Sequence, residues 1–419
     1  MAAILSGGTI LMSHFILYYF YVCIVSSGGA LLGPVEFWKQ LLNTPLLPTV
    51  RSTTLYVGFL LMQILLAMIM PGLVMEGLPL KGGYRLKYLC NGLASWYVTL
   101  AFHALLHFTG ILPLHEVAKE FGPLMTSAVI VGNLVSLYVL LWPVLTKQNE
   151  PGTGISADEF FMGVWLNPRI GVVDIKMFAE IRVSWILLFL LTASNASEQY
   201  HAHGVVTSPM LIILLAHFLY TNACQKGEEC IPTTWDIFHE RFGWMLAFWN
   251  LAGVPFLYCI PSLYLRVMAP FEHPRGVSVL IAIVLMLAYY VWDTANSQKN
   301  RYRMMQAKTY VARNAFPQLP WGTLHAPREF KVEKGTFLLD GWWQYVRKPH
   351  YTADMVMALC WGLACGFGSF LPFFYFCFLS LFLMHRCKRD GERLAHKYGD
   401  TAWEGYCEKV PYILLPYVY

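Results

Sequence analysis

Three stretches in the last third of this 419-residue chain combine cations and aromatic rings at spacings suited to gripping an anionic ligand that also carries a planar ring. In Asn296-Ser297-Gln298-Lys299-Asn300-Arg301-Tyr302-Arg303, a helix would set Lys299 and Arg303 four residues apart on one face, where both can hold a single phosphorylated group. In Gly341-Trp342-Trp343-Gln344-Tyr345-Val346-Arg347-Lys348-Pro349-His350-Tyr351, aromatic faces stand beside cations and offer stacking together with charge. In His385-Arg386-Cys387-Lys388-Arg389-Asp390-Gly391-Glu392-Arg393, helical spacing brings Arg386, Asp390 and Arg393 to neighbouring turns of one face, so Asp390 is either held charged or set as a proton source. Trp403, Tyr406, Tyr412, Tyr417 and Tyr419 follow closely, more rings than a solvated helix needs, which points to a cap packed over a pocket. Each stretch also has a plainer meaning: a positive flank touching lipid headgroups, an aromatic belt at the membrane boundary, and a solvated helix.

The elements that must carry these groups are membrane helices. Of the residues, 57% are hydrophobic and 13% charged, against roughly 25% charged in ordinary soluble domains. Apolar runs near 10–30, 54–76, 91–112, 124–146, 183–197, 205–223, 244–265 and 277–294 each suit the ~30 Å bilayer core. The last apolar stretch, from Asp354 to Met384, would be about 46 Å long as one helix. Gly366, Gly368 and Pro372 break it into a hairpin of two short spans, which gives about ten spans in an all-α integral membrane protein. No sustained repeat or low-complexity linker divides the chain, so 1–419 reads as one polytopic domain, with six spans in 1–223 and the remainder in 224–419.

Basic residues orient the bundle. The segment from Asn296 to His350 carries Lys299, Arg301, Arg303, Lys308, Arg313, Arg328, Lys331, Lys334, Arg347 and Lys348, and the tail after Met384 is also basic, so both are expected in the cytosol. Counting back puts the sequon Asn195-Ala196-Ser197 on the lumenal side, open to glycosylation. The first span is expected to serve as its own insertion signal. The ten cysteines lie mostly in apolar runs without metal spacing and read as reduced packing residues. His103 and His107 stand four apart, but His201, His203, His217 and His239 complete no iron-binding cluster, so no metal is expected. The net charge of +5 comes with no nucleic-acid module, so no nucleic acid is expected either. Nothing in the sequence sets an oligomeric state.

These stretches, with Leu166-Asn167-Pro168-Arg169-Ile170-Gly171, Asp174-Ile175-Lys176-Met177-Phe178 and Trp235-Asp236-Ile237, resemble the sterol reductase family, which includes sterol C-14 reductases, 7-dehydrocholesterol reductase and the fungal sterol C-24(28) reductase. The likeness runs from about Ser13 to Tyr419. Its most specific part is the His-Arg-x-x-Arg-Asp motif at 385–390, followed by Lys397-Tyr398-Gly399, Trp403, Tyr406-Cys407 and Val410-Pro411-Tyr412. Gly227-Glu228-Glu229-Cys230-Ile231-Pro232-Thr233-Thr234-Trp235-Asp236, Phe248-Trp249-Asn250-Leu251-Ala252-Gly253-Val254-Pro255 and Ser13-His14-Phe15-Ile16-Leu17-Tyr18-Tyr19 are most similar to the C-24(28) branch. His350 stands where many relatives carry Asn, and the polar leader that many relatives carry before the first span is absent, as in a short or trimmed chain.

The resemblance implies NADPH in a cytosol-facing pocket formed by the last helices and the tail, in the endoplasmic reticulum membrane, and a sterol drawn from the surrounding lipid. Carried over by motif, Lys299 and Arg303 would hold phosphate, Trp342 or Trp343 and Tyr351 would line the cofactor, and Arg386, Asp390 and Tyr398 would complete its site. Trp249, Asn250 and Glu240 are the expected substrate-side residues. An isolated alkene does not accept hydride unaided, so an acid must protonate it; Asp390 or Tyr406 is the expected donor, with Glu240 and Asp236 as weaker candidates. For a C-24(28) methylene the proton goes to the terminal carbon and hydride to the tertiary one. Asn167, Arg169, Asp174, Lys176, Glu180 and Arg182 are expected to serve topology and packing. Two other classes remain open at this stage: a membrane methyltransferase of the isoprenylcysteine type, similar around Arg347, Pro349 and Tyr351, and a non-catalytic sterol-binding protein. Within the reductases, C-14 or C-7 chemistry is the alternative.

Overall fold

Apolar residues encircle the long helices instead of forming one stripe, as expected where a helix meets lipid or other helices on every side. In the computed structural model, which describes residues 2–80, 82–312 and 317–418, six helical stretches are long and apolar enough to cross a membrane: Ile4–Ser27, Val50–Ile69, Phe121–Leu145, Ile175–His203, Trp244–Val267 and Arg275–Gln306. The other four expected spans fall on Gly92–Phe108 and Pro349–Ala364, with 17 and 16 residues, and on Ser208–Lys226 and Phe374–Tyr398, which mix in polar residues. By length and composition alone, six of the ten expected spans meet the requirement among the described residues. Arg313 and Tyr419 lie outside the described residues.

The chain is mostly helical, at 68%, and divides into two compact units, Met1–Glu272 and His273–Tyr419. The all-α expectation misses three antiparallel hairpins: Leu73–Pro79 with Arg85–Cys90, Arg169–Ile170 with Val173–Asp174, and Glu329–Val332 with Gly335–Leu338. The first shortens the second expected span, because Pro71 cannot continue a helix and a Cβ on Gly72 would meet that of Asn91 at 2.5 Å. Gly82 and Gly83, at φ +97° and +81°, then turn the chain back.

In the first unit, a capping box of Thr49 and Ser52 starts Val50–Ile69, and Gly204 in the left-handed region ends Ser184–His203. Two π-helical turns, Phe178–Val183 and Trp249–Gly253, interrupt the packing there. The charged groups near span ends stitch loops together. Lys176 donates to the carbonyls of Ile237 and Glu240, at 2.9 and 2.7 Å; Asn167 also donates to Ile237 O, and Asp174 caps Met177. Arg182 and Glu228 form a buried pair at 2.9 Å, to which Gly92 N, Ser95 and Asn91 add hydrogen bonds. Asn195 is fully buried and donates to Ser262 at 2.9 Å, so the expected glycosylation at the sequon is ruled out by packing. His103 and His107 bond to Thr99 O and Leu114 N of the main chain.

In the second unit the 32-residue helix Arg275–Gln306 is about 48 Å long. Its apolar part fills a ~30 Å core, so its last turns, which carry Lys299, Arg301 and Arg303, extend beyond it. Pro349–Ala364 and Phe374–Tyr398 form the expected helical hairpin, broken where Gly366 takes φ +71° and Leu371–Phe373 forms a 3₁₀ turn.

Candidate active site

The cations foreseen in the three stretches converge within the second unit. On Arg275–Gln306, Lys299 places its Nζ 4.1 Å from the centre of the Trp343 ring, where burial first and then Lys348 and Arg303 hold the amine well below the ordinary lysine range, and Arg303 lies one turn on, over Tyr302. From the turn before Pro349–Ala364, Lys348 donates to Asp390 at 2.6 Å. Arg393 approaches the other oxygen of Asp390 at 3.7 Å, and Arg386 lies within electrostatic reach of both Asp390 and His350. Burial would raise the Asp390 carboxyl, but Lys348, Arg393 and Arg386 outweigh it and hold the group below its ordinary value. His350 is pushed well below the usual imidazole range, first by burial and then by Lys299, Lys348 and Arg386. Its ring lies 5.1 Å from Trp343 and 4.2 Å from Tyr351.

The tail is tied to this group through the main chain. Arg347 N donates to Tyr412 O and Lys348 N to Ile413 O, each at 2.9 Å, and Thr352 reaches Leu414 O. Arg347 also donates to the Cys407 sulfur at 2.6 Å and to Pro411 O, with its guanidinium over Trp403. Tyr406 and Tyr398 lie in a separate aromatic cluster with Phe337. Burial pushes the Tyr406 hydroxyl up to about 12, against the opposing pull of Arg347 and Arg303.

The structure thus brings Lys299, Arg303, Trp343, Tyr351, Arg386 and Asp390 together. Trp342 turns the other way: its indole donates to Thr294 at 2.8 Å and packs against Trp321 and Tyr290. Gly341, at φ +61°, allows this split, since a Cβ there would collide with Gln298, whose oxygen accepts from Trp342 N. The site list from sequence omits Lys348, the partner of Asp390, although it lies in the second stretch; its signal was a cation next to the aromatic run. It also omits the Glu329–Leu338 hairpin. Of the residues expected on the substrate side, all in the first unit, Glu240 accepts from Trp235 at 2.8 Å, Trp249 donates to Tyr258, and Asn250 sits buried in the second π-turn.

A surplus of cations around one carboxylate fits a dianionic or trianionic phosphate ligand, and Nδ1 of His350, buried and without a hydrogen bond among the described residues, fits a polar one. A family model described as the Ergosterol biosynthesis ERG4/ERG24 family matches residues 13–419. The chain belongs to that family. The ERG4/ERG24 assignment removes the methyltransferase alternative and makes this an integral membrane protein of the sterol reductase family. Over 427 residues, covering 98% of this chain and 90% of the other, it is 41% identical to the Delta(24(24(1)))-sterol reductase erg4A of Aspergillus fumigatus. It is 45% identical to the Delta(24(24(1)))-sterol reductase of Gibberella zeae over 343 residues, 81% of this chain and 57% of that one. Another relative, the Delta(14)-sterol reductase of Methylotuvimicrobium alcaliphilum, is 34% identical over 96% of this chain and 92% of its own.

Proposed function

We propose that this enzyme reduces the C-24(28) methylene of a sterol side chain with NADPH, from a cofactor pocket on the cytosolic side of the endoplasmic reticulum membrane. The observation that carries the cofactor reading is the group of cations around Asp390 beside the Trp343 and Tyr351 rings. The two relatives at 41% and 45% identity, both named for this double bond, support the substrate. The basic ends of the helices Arg275–Gln306 and Phe374–Tyr398 support the cytosolic side.

In this reading Lys299, Arg303 and Arg386 grip phosphate, Trp343 and Tyr351 line the ring-bearing part, and Tyr398 closes the tail side. NADPH, when bound, supplies the hydride. Asp390 stays ionised, and its role is to fix Lys348 and Arg393 in place for the ligand. Tyr406 carries the proton: burial keeps it protonated near neutral pH, and Arg347 and Arg303 favour the phenolate left once the proton has passed to the terminal alkene carbon. Trp249 and Asn250 belong to the sterol side.

Purified protein incubated with NADPH and sterols unsaturated at C-24(28), C-14 or C-7, with products identified by mass, tests the proposal. Gain of two hydrogens at C-24(28) alone supports it; reduction at C-14 instead would assign the chain to the other activity named among its relatives.

A further inference from the structure

The hairpin Glu329–Leu338 separates two parts of the second unit that the sequence motifs name independently. Successive residues of a strand point to opposite faces, and Phe337 and Leu338 use this. Leu338 packs with Tyr302, Leu324 and Trp343, on the side of the helix that carries Lys299 and Arg303. Phe337 packs with Tyr398, Tyr406 and Val410, on the side of the tail. The Phe337 and Tyr406 rings lie 4.5 Å apart at 15°, and Tyr398 closes from the flank at 4.7 Å.

Two further contacts fix the hairpin's place. Tyr302 donates from its hydroxyl to Thr336 Oγ1 at 2.6 Å, which ties the strand to the cation-bearing helix one residue before Arg303. Gly335, at φ +146°, brings the turn against Tyr398, where a Cβ would stand 3.1 Å from the ring. Beyond the strands Leu339 N donates to Arg328 O at 2.9 Å and extends the hairpin's own ladder. The hairpin is therefore held near its turn from both sides, with one face on each group.

We propose that Phe337 is the positioning residue of Tyr406, and that the strand Gly335–Leu338 couples the ring-lined cation pocket to that phenol so the two keep a fixed relation. The proposal rests on the assignment of Tyr406 as proton carrier. Phe337 touches neither ligand; it acts by holding the Tyr406 ring in place and dry. Loss of the stack lets the ring tilt and admits water, which lowers both the rate of proton delivery and the pH at which the phenol ionises.

The test is Phe337→Leu in purified full-length protein, with Phe337→Tyr as the ring-preserving control and Thr336→Val as a second variant that cuts only the Tyr302 tie. The expected result for Phe337→Leu is a fall in kcat of roughly 10- to 100-fold, NADPH affinity within about twofold of wild type, and an alkaline limb of the pH–rate profile moved to lower pH. Phe337→Tyr should restore the rate, and Thr336→Val should show the same pattern more weakly. A wild-type rate and alkaline limb in folded Phe337→Leu, or a loss of NADPH affinity that parallels the loss of kcat, would overturn the proposal. Failure of the underlying assignment is read separately. Tyr406→Phe with normal turnover removes Tyr406 as donor, whereas an ultraviolet titration of the tyrosinate, Tyr406→Phe serving as blank, still reports whether Phe337 controls that ring.

Discussion

The ammonium of Lys348 meets the carboxylate of Asp390 at 2.6 Å, while the Lys348 main-chain N–H is held by Ile413 of the tail. One residue therefore links the start of Pro349–Ala364, the end of Phe374–Tyr398 and the last segment of the chain. Asp390→Asn keeps the shape but removes the charge, leaving Lys348 and Arg393 facing Lys299 without compensation. The expected outcome is a loss of roughly 1.5–3 kcal/mol, seen as a lower midpoint in thermal melts, with part of the loss recovered when saturating NADPH supplies the missing anion.

Acid should weaken the protein earlier than its carboxylates alone would dictate. The folded value of His350 lies below the ordinary ~6.5 of imidazole, so as pH falls the unfolded chain binds the proton first. Stability therefore declines as pH drops below about 6.5. Asp390 behaves differently: its lowered value keeps the ion pair through the usual carboxylate range, and its contribution is lost only as pH falls below that range. Melting midpoints measured between about pH 7.5 and 5 should fall for wild type and fall less steeply for His350→Asn, which cannot titrate at this position. Equal slopes for both would show that another group controls the decline.

The residues that grip charge were legible because helical spacing and covalent neighbourhood already group them. Lys299 with Arg303, and Asp390 with Arg393, are one turn apart in sequence and remain so in space. Two adjacent tryptophans, by contrast, cannot be told apart by spacing. That Trp343 faces Lys299 while Trp342 faces Thr294 depends on the positive φ of Gly341, a backbone choice that no periodicity reports. The hairpins were signalled more plainly, by Gly82-Gly83 between Leu73–Pro79 and Arg85–Cys90 and by the alternation Phe330, Val332 before Gly335. Long apolar runs drew the second span over the first of them. The sequon at Asn195 failed for a different reason: a motif states what an enzyme could modify and says nothing of Ser262 packed against it.

Replacing Lys299, Arg303 and Arg386 together with methionine should abolish dinucleotide binding more than it harms folding. Each charge-assisted bond to phosphate contributes about 1.5–3 kcal/mol, so the triple variant should lose at least about 100-fold in NADPH affinity, measured by titration in detergent. Wild-type affinity should itself weaken with rising salt, and the variant's residual affinity should not. Unchanged binding in the triple variant would remove the proposed cofactor assignment for these residues.

The buried pair of the first unit offers a stability test away from these groups. Arg182 and Glu228 have side chains 3% and 4% exposed, and the guanidinium is shared with Asn91 and Ser95. Arg182→Met removes the cation and leaves a carboxylate in a dry site, for which a loss of about 3–5 kcal/mol is expected. Glu228→Gln is milder. Burial raises the Glu228 carboxyl, which lessens the cost of losing its charge, and an amide oxygen can still accept from Gly92 N. A loss nearer 1–3 kcal/mol follows. Thermal melts of the two single variants and the double variant decide it: the double should lose much less than the sum, because each substitution removes the penalty left by the other. Additive losses would mean that the two groups stabilise the fold independently and that the 2.9 Å contact carries little of the energy.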